Sequence, residues 1–157
     1  MTHSGHSAPP AQMPPQLVQL LLGGQTCVVA TVDERGRPST TLMTWVVARD
    51  PQTISIAFDV RGRALANVRN NPEIAIEVLA DDIIFGLRGR AVIEKERMDC
   101  APFACALVAV RVEEVKDHGA AGVTFVGPRY HFAPEKQHRT GVEAAIFEEL
   151  KGSAPTV

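Results

Sequence analysis

The stretch Asp59-Val60-Arg61-Gly62-Arg63-Ala64-Leu65-Ala66-Asn67-Val68-Arg69-Asn70-Asn71-Pro72 constrains the fold more than any other. Before it, Ile54, Ile56 and Phe58 alternate with Ser55 and Ala57, the period of a strand. After it, Ile74, Ile76 and Val78 alternate with Ala75, Glu77 and Leu79, a second strand. Between them, Ala64, Leu65 and Val68 fall at three- and four-residue spacing and give a short helix a narrow apolar stripe. Asn70-Asn71-Pro72 ends the helix, because a residue before proline is pushed out of the α region. Arg61 and Arg63 then bracket Gly62 where the helix opens. Unpaired first-turn amides and guanidinium forks suit a phosphate. The same residues also fit a solvated turn with no ligand.

The rest of the chain reads as short strands joined by tight turns. Prolines at 9, 10, 14 and 15 mark residues 1–15 as a disordered leader to one domain over 16–157. Gln16 to Leu22 reads as a short helix, opened by Pro15 and ended by Gly23-Gly24. Thr26 to Asp33 is apolar or small on both faces, which predicts a central strand. Asp33 to Pro38 is a hairpin turn in which Gly36 is free to take positive φ. One long strand is expected from Ser39 to about Arg49, turned by Asp50-Pro51-Gln52 into Thr53 to Phe58. Asp81-Asp82 makes another turn, followed by a long strand from Ile83 to Glu96. There Phe85, Leu87, Ala91 and Ile93 share one face, and Arg88, Arg90, Glu94 and Glu96 the other. Gly86 and Gly89 mark a bend or bulge. Ala104 to Lys116 is the last strand, with Val108, Val110 and Val112 inward. A Gly- and aromatic-containing loop over 117–133 leads to a helix over 134–151, where Thr140-Gly141-Val142-Glu143 matches a capping box. Short hairpins require antiparallel pairing, so the expected fold is mainly β (α+β): a six-stranded antiparallel barrel with flanking helices.

Composition removes several function classes. A net charge of −2 argues against a nucleic-acid binder held by backbone charge. No apolar run approaches the roughly 18 residues that cross a bilayer, and Leu17 to Leu22 lacks a basic region before it. A cytoplasmic location with no membrane partner is expected. Cys27, Cys100 and Cys105 form neither a disulfide framework nor a metal pattern, so no metal site is expected, and Cys27 reads as a buried small hydrophobe. No Ser-His-Asp arrangement, nucleotide-binding Gly-rich loop or paired carboxylate cleft stands out, so catalytic residues are not identifiable. Trp45 reads as filler of the barrel or of a dimer interface, and Tyr130 with His131 as loop packing. Arg88 and Arg90 read equally as partners of Glu94 and Glu96 or as ligand-binding residues.

The strand Cys27 to Asp33, the turn Gly36-Arg37-Pro38, the run Arg61 to Val68 into Asn71-Pro72-Glu73-Ile74-Ala75-Ile76, and Gly89-Arg90-Ala91 occur in a set order. Over about Gln16 to Lys116 this set resembles the FMN-binding split-barrel family related to pyridoxine 5′-phosphate oxidase. The resemblance implies a homodimer that binds FMN at the subunit interface, or in some branches F420 or haem. It places Arg61 and Arg63 at the flavin phosphate, and Thr41, Leu42, Met43 and Thr44 beside the isoalloxazine ring. Ala57, Phe58 and Asp59 fall beside the ribityl-phosphate, and Arg88 and Arg90 reach the partner's flavin. The C-terminal arginine- and tryptophan-containing signature of true pyridoxine phosphate oxidases is missing, and the one tryptophan is Trp45. The expected function is therefore a flavin-dependent oxidoreductase acting on some other small substrate, with NAD(P)H as a candidate electron donor. The other reading is a non-catalytic flavin, F420 or haem carrier, or an empty dimeric barrel.

Overall fold

The computed structural model describes residues 11–152. Seven strands form one sheet: β1 (Cys27–Val32), β2 (Pro38–Met43), β3 (Val46–Asp50), β4 (Thr53–Asp59), β5 (Glu73–Ala80), β6 (Ile83–Lys95) and β7 (Cys105–Asp117). Their order across the sheet is β2-β1-β5-β6-β7-β4-β3, and every recorded pairing is antiparallel. Three α-helices flank it: α1 (Pro15–Leu20), α2 (Arg63–Asn70) and α3 (Arg139–Leu150).

The expected strand from Ser39 to Arg49 is two strands, so the expected six become seven. β2 pairs with β1 at one edge of the sheet, and β3 pairs with β4 at the other. The chain crosses between those edges at Thr44-Trp45. Both halves have β character, so local periodicity carries no mark of the crossing.

Turn chemistry sets the hairpins. Gly36 turns β1 into β2 at φ +77°, and Asp82 takes φ +54° between β5 and β6. Aspartate tolerates that left-handed region better than most residues. β6 bulges at Arg88/Gly89, where a Cβ on Gly89 would lie 2.1 Å from the Arg111 carbonyl oxygen. Gly86 pairs regularly with Lys116 and is not part of the bulge; its missing side chain makes room for the His118 ring. A second register shift follows at Ile93/Lys95.

The main core gathers Leu17, Leu21, Val29, Phe58, Leu65, Ile76 and Val108. A second cluster under α3 joins Val47, Leu107, Ile146 and Leu150. Strand β7 lies between the two, so Cys105 through Val110 are buried on both faces. α2 rests on β1, where buried Asn67 donates to the Thr31 hydroxyl at 2.9 Å. Met13, placed in the leader by sequence, is buried and donates its amide to the Pro51 carbonyl. The rest of the expected leader, residues 1–10, lies outside the described residues, as do residues 153–157.

After β7 the chain crosses the molecule as a strap. It docks on the β5–β6 hairpin: the Phe125 amide donates to Asp82 Oδ1, the Gly127 amide donates to Asp81 Oδ1, and Arg129 pairs with Asp81. A 3₁₀ turn at Pro134–Lys136 precedes α3, so the helix expected over 134–151 is interrupted. Thr140 sits inside α3 and caps nothing; the helix follows His138 without a side-chain cap. The other end of α3 is clamped by Glu149, whose carboxylate accepts from the Asp99 and Cys100 amides and from Lys95 Nζ. Among the described residues no helix is long and apolar enough to cross a membrane.

Candidate functional site

A cavity of about 590 Å³ opens where β2 parts from β3. The end of β2 and the crossing segment supply Thr41, Leu42, Met43, Thr44 and Trp45; the end of β4 supplies Ala57, Phe58 and Asp59. Gly62, Arg63 and Ala64 bring the start of α2 to its wall, and no side chain caps that helix. Cys105 and Phe103 border it from the β7 side. The strap and α3 complete it with Tyr130, Phe132, Arg139 and Glu143.

The two arginines of the central stretch part company. Arg63 borders the cavity and has no ion-pair partner among the described residues. Arg61 is not among the residues that border the cavity and pairs with Asp59: Nε reaches Oδ1 at 3.2 Å and Nη2 reaches Oδ2 at 3.1 Å. The Arg61 amide also donates to Asp59 Oδ1. These bonds to the Arg61 side chain and backbone hold the Asp59 carboxyl below its usual range.

Arg88 and Arg90 lie elsewhere. Arg88 borders a separate basin of about 490 Å³ with Glu77, Glu114, Lys116 and His118. Arg90 pairs with Glu73, its direct cross-strand neighbour on β5. Neither pairs with Glu94 or Glu96, which bind Arg49 and Arg69 instead. Residues four apart along one strand are roughly 13 Å apart, whereas cross-strand neighbours approach to about 5 Å.

One wall of the cavity is a hydrogen-bonded triad. Glu143 accepts from Trp45 Nε1 at 3.0 Å and from the Tyr130 hydroxyl at 2.9 Å. Trp45 also stacks on Phe103, with ring centroids 5.5 Å apart, and Tyr130 meets Phe132 edge-on. Burial pushes the Tyr130 hydroxyl up to about 12, and the Glu143 carboxylate adds to the effect. Burial likewise pushes the Cys105 thiol up to about 11 and Cys27 to about 12. Cys105 therefore faces the cavity as a neutral thiol at ordinary pH. Sequence reasoning missed Phe103, Cys105, Phe132, Arg139 and Glu143 as site residues and set Tyr130 aside. The aromatic density of the 117–133 loop was the one available signal.

A family model for pyridoxamine 5′-phosphate oxidase matches residues 13–146. Among curated proteins none matches the sequence. HupZ of Group A Streptococcus is similar in structure at 19% identity and TM-score 0.60, over 76% of this chain and all (100%) of that one. A Lactobacillus delbrueckii protein classed with the pyridoxamine 5′-phosphate oxidases is 20% identical at TM-score 0.58, over 68% of this chain and 94% of its own. An FMN-binding protein from Syntrophomonas wolfei is 12% identical at TM-score 0.50, over 67% of this chain and 83% of its own. At these identities the structural likenesses speak for the fold. With its matched span covering most of the described chain, the protein belongs to the pyridoxamine 5′-phosphate oxidase family.

Proposed function

We propose that the cavity holds FMN and that the protein is a flavin-binding, oxidoreductase-like member of its family. The observation that carries this reading is the meeting of Arg63 and the uncapped start of α2 with Thr41 to Thr44 in one cavity. Its volume of about 590 Å³ falls within the usual range for small-molecule sites. The residues fit the group at both ends. Arg63 and the first amides of α2 would take the phosphate, and Arg61 neutralises Asp59, the one carboxylate near them in that wall. Thr41, Leu42, Met43, Thr44, Ala57 and Phe58 would border the ring and its chain. The FMN-binding protein from Syntrophomonas wolfei shares this fold, which supports the reading.

A bound flavin supplies hydride and electron transfer; the protein supplies binding, orientation and electrostatics. Trp45 and Tyr130, both fixed by Glu143, present aromatic faces and exclude water from that side. In a homodimer, Arg88 and Arg90 would serve the second protomer, since neither borders the cavity of its own.

The test is FMN binding by the purified protein, followed by its absorption band and by titration. Arg63→Ala should weaken FMN about ten- to a hundredfold, the worth of charge-assisted hydrogen bonds to a phosphate. Riboflavin, which has no phosphate, should lose much less, and Arg35→Ala should leave both unchanged. Equal losses for FMN and riboflavin would remove the phosphate assignment. A protein that binds F420 or haem but not FMN would overturn the cofactor.

A further inference from the structure

A second, smaller chamber of about 170 Å³ adjoins the main cavity. Trp45, Phe132, Arg139 and Glu143 border both, so these four residues form the partition. Pro102 and Val142 supply further apolar surface, and His138 stands at its edge. A volume of about this size accommodates a single benzene ring, and exposed His138 and Arg139 leave this chamber open to solvent. Its apolar walls are two aromatic rings, a proline ring and a valine, which suit a planar apolar body, and Arg139, Glu143 and His138 supply its polar side.

The charge in the partition is the second observation. Arg139 and Glu143 stand four residues apart on α3, a spacing that brings opposite charges together. They form no ion pair. Glu143 is turned to Trp45 and Tyr130, and each of its oxygens already accepts a hydrogen bond. Arg139 is thus left without an acidic partner among the described residues. Arg63 borders only the larger chamber, whereas Arg139 borders both.

We infer that the small chamber is a subsite for a one-ring aromatic carboxylate, its ring between Trp45 and Phe132 and its carboxylate on Arg139. The inference rests on the flavin reading only in leaving the larger chamber to the cofactor. A carboxylate is favoured over a phosphate because the single charge of Arg139 balances one negative charge, whereas a phosphate near −2 would stand undercompensated beside Glu143. The donors on both Glu143 oxygens blunt the repulsion from that side.

Trp45 is the only tryptophan and borders both chambers, so its fluorescence reports occupancy without any turnover. The probes are benzoate, its neutral isostere benzamide, and inorganic phosphate, each titrated into the full-length protein. Benzoate should bind at least about tenfold more tightly than benzamide, the usual gain from a charge-assisted pair. Arg139→Gln should erase that preference and Arg139→Lys should keep part of it. Val142→Phe, which fills the small chamber, should abolish the benzoate response while FMN affinity stays unchanged. Equal affinity for benzoate and benzamide, tighter binding of phosphate, or competition between benzoate and FMN would each overturn the subsite. If Arg139→Gln weakens both aromatic probes alike, Arg139 shapes the chamber and does not recognise a carboxylate, and the inference falls. Benzoate binding with these preferences in a protein that refuses FMN would sink the flavin reading and leave the subsite standing. FMN binding that depends on Arg63, with no benzoate response, would do the reverse.

Discussion

Arg61 and Arg63, two residues apart, meet different partners, and substitutions should separate them. Arg61→Ala leaves the Asp59 carboxylate unpaired in the cavity wall. FMN affinity should fall about tenfold, in line with an uncompensated like charge near a phosphate. Asp59→Asn in that background should restore it, which a double-mutant cycle measures. The loss should shrink as pH falls toward the ordinary aspartate value of 3.8, where the carboxylate takes up a proton. Glu149 makes a different pH prediction. Burial alone would raise its carboxyl, but the Asp99 and Cys100 amides and Lys95 outweigh it and hold it below 4.5. Its contribution is therefore present above the unfolded value and is lost as pH falls through the folded one. Glu149→Gln should cost roughly 1–3 kcal/mol in denaturant unfolding at neutral pH, with a gap that narrows on acidification. Burial of Cys27 was legible from the apolar run around it. The Glu143 triad was not, because its partners stand 98 and 13 residues away along the chain.

At the level of elements, the local signals were legible and the long-range ones were not. The period of β4, the stripe of α2 and the Asn71-Pro72 stop each sit within a few residues, and each appears where the pattern puts it. The β2–β3 break depends on which edge of the sheet each half joins, and no local pattern encodes that. The capping box failed for a related reason: Glu143 is drawn across to Trp45 and Tyr130, and the helix starts two residues earlier, with His138 in place of Thr140 at its N-cap. Two glycines separate close packing from mere flexibility. A Cβ on Gly127 would lie 2.4 Å from Ala80 Cα, so Gly127→Ala must lift the strap off the β5–β6 hairpin. Faster protease cleavage between residues 117 and 134, together with weaker FMN binding, is the expected result. Gly141 meets nothing within 4 Å and lies in the first turn of α3. Gly141→Ala should raise stability by up to about 1 kcal/mol, read as a higher Tm.

For the whole molecule, the open question of surface concerns the cavity mouth. Trp45 is partly covered within its own chain, by stacking on Phe103 and by its hydrogen bond to Glu143. Leu42 is different: it borders the cavity and is 67% exposed. Sedimentation at micromolar concentration should show a dimer, and Leu42→Glu should shift it toward monomer; a monomer in both would remove the shared-cleft reading. The strap adds a consequence in time. Strands β1 to β7 all leave the ribosome before Tyr130, Phe132, Arg139 and Glu143. Because every strand of the sheet is made before that wall, the sheet can pair during synthesis while the cavity still lacks its aromatic side. A nascent chain stalled once β7 has cleared the ribosome should then present an open trough where the finished protein has a chamber, and the stretch from Tyr130 to Glu143 decides when a cofactor is shut in.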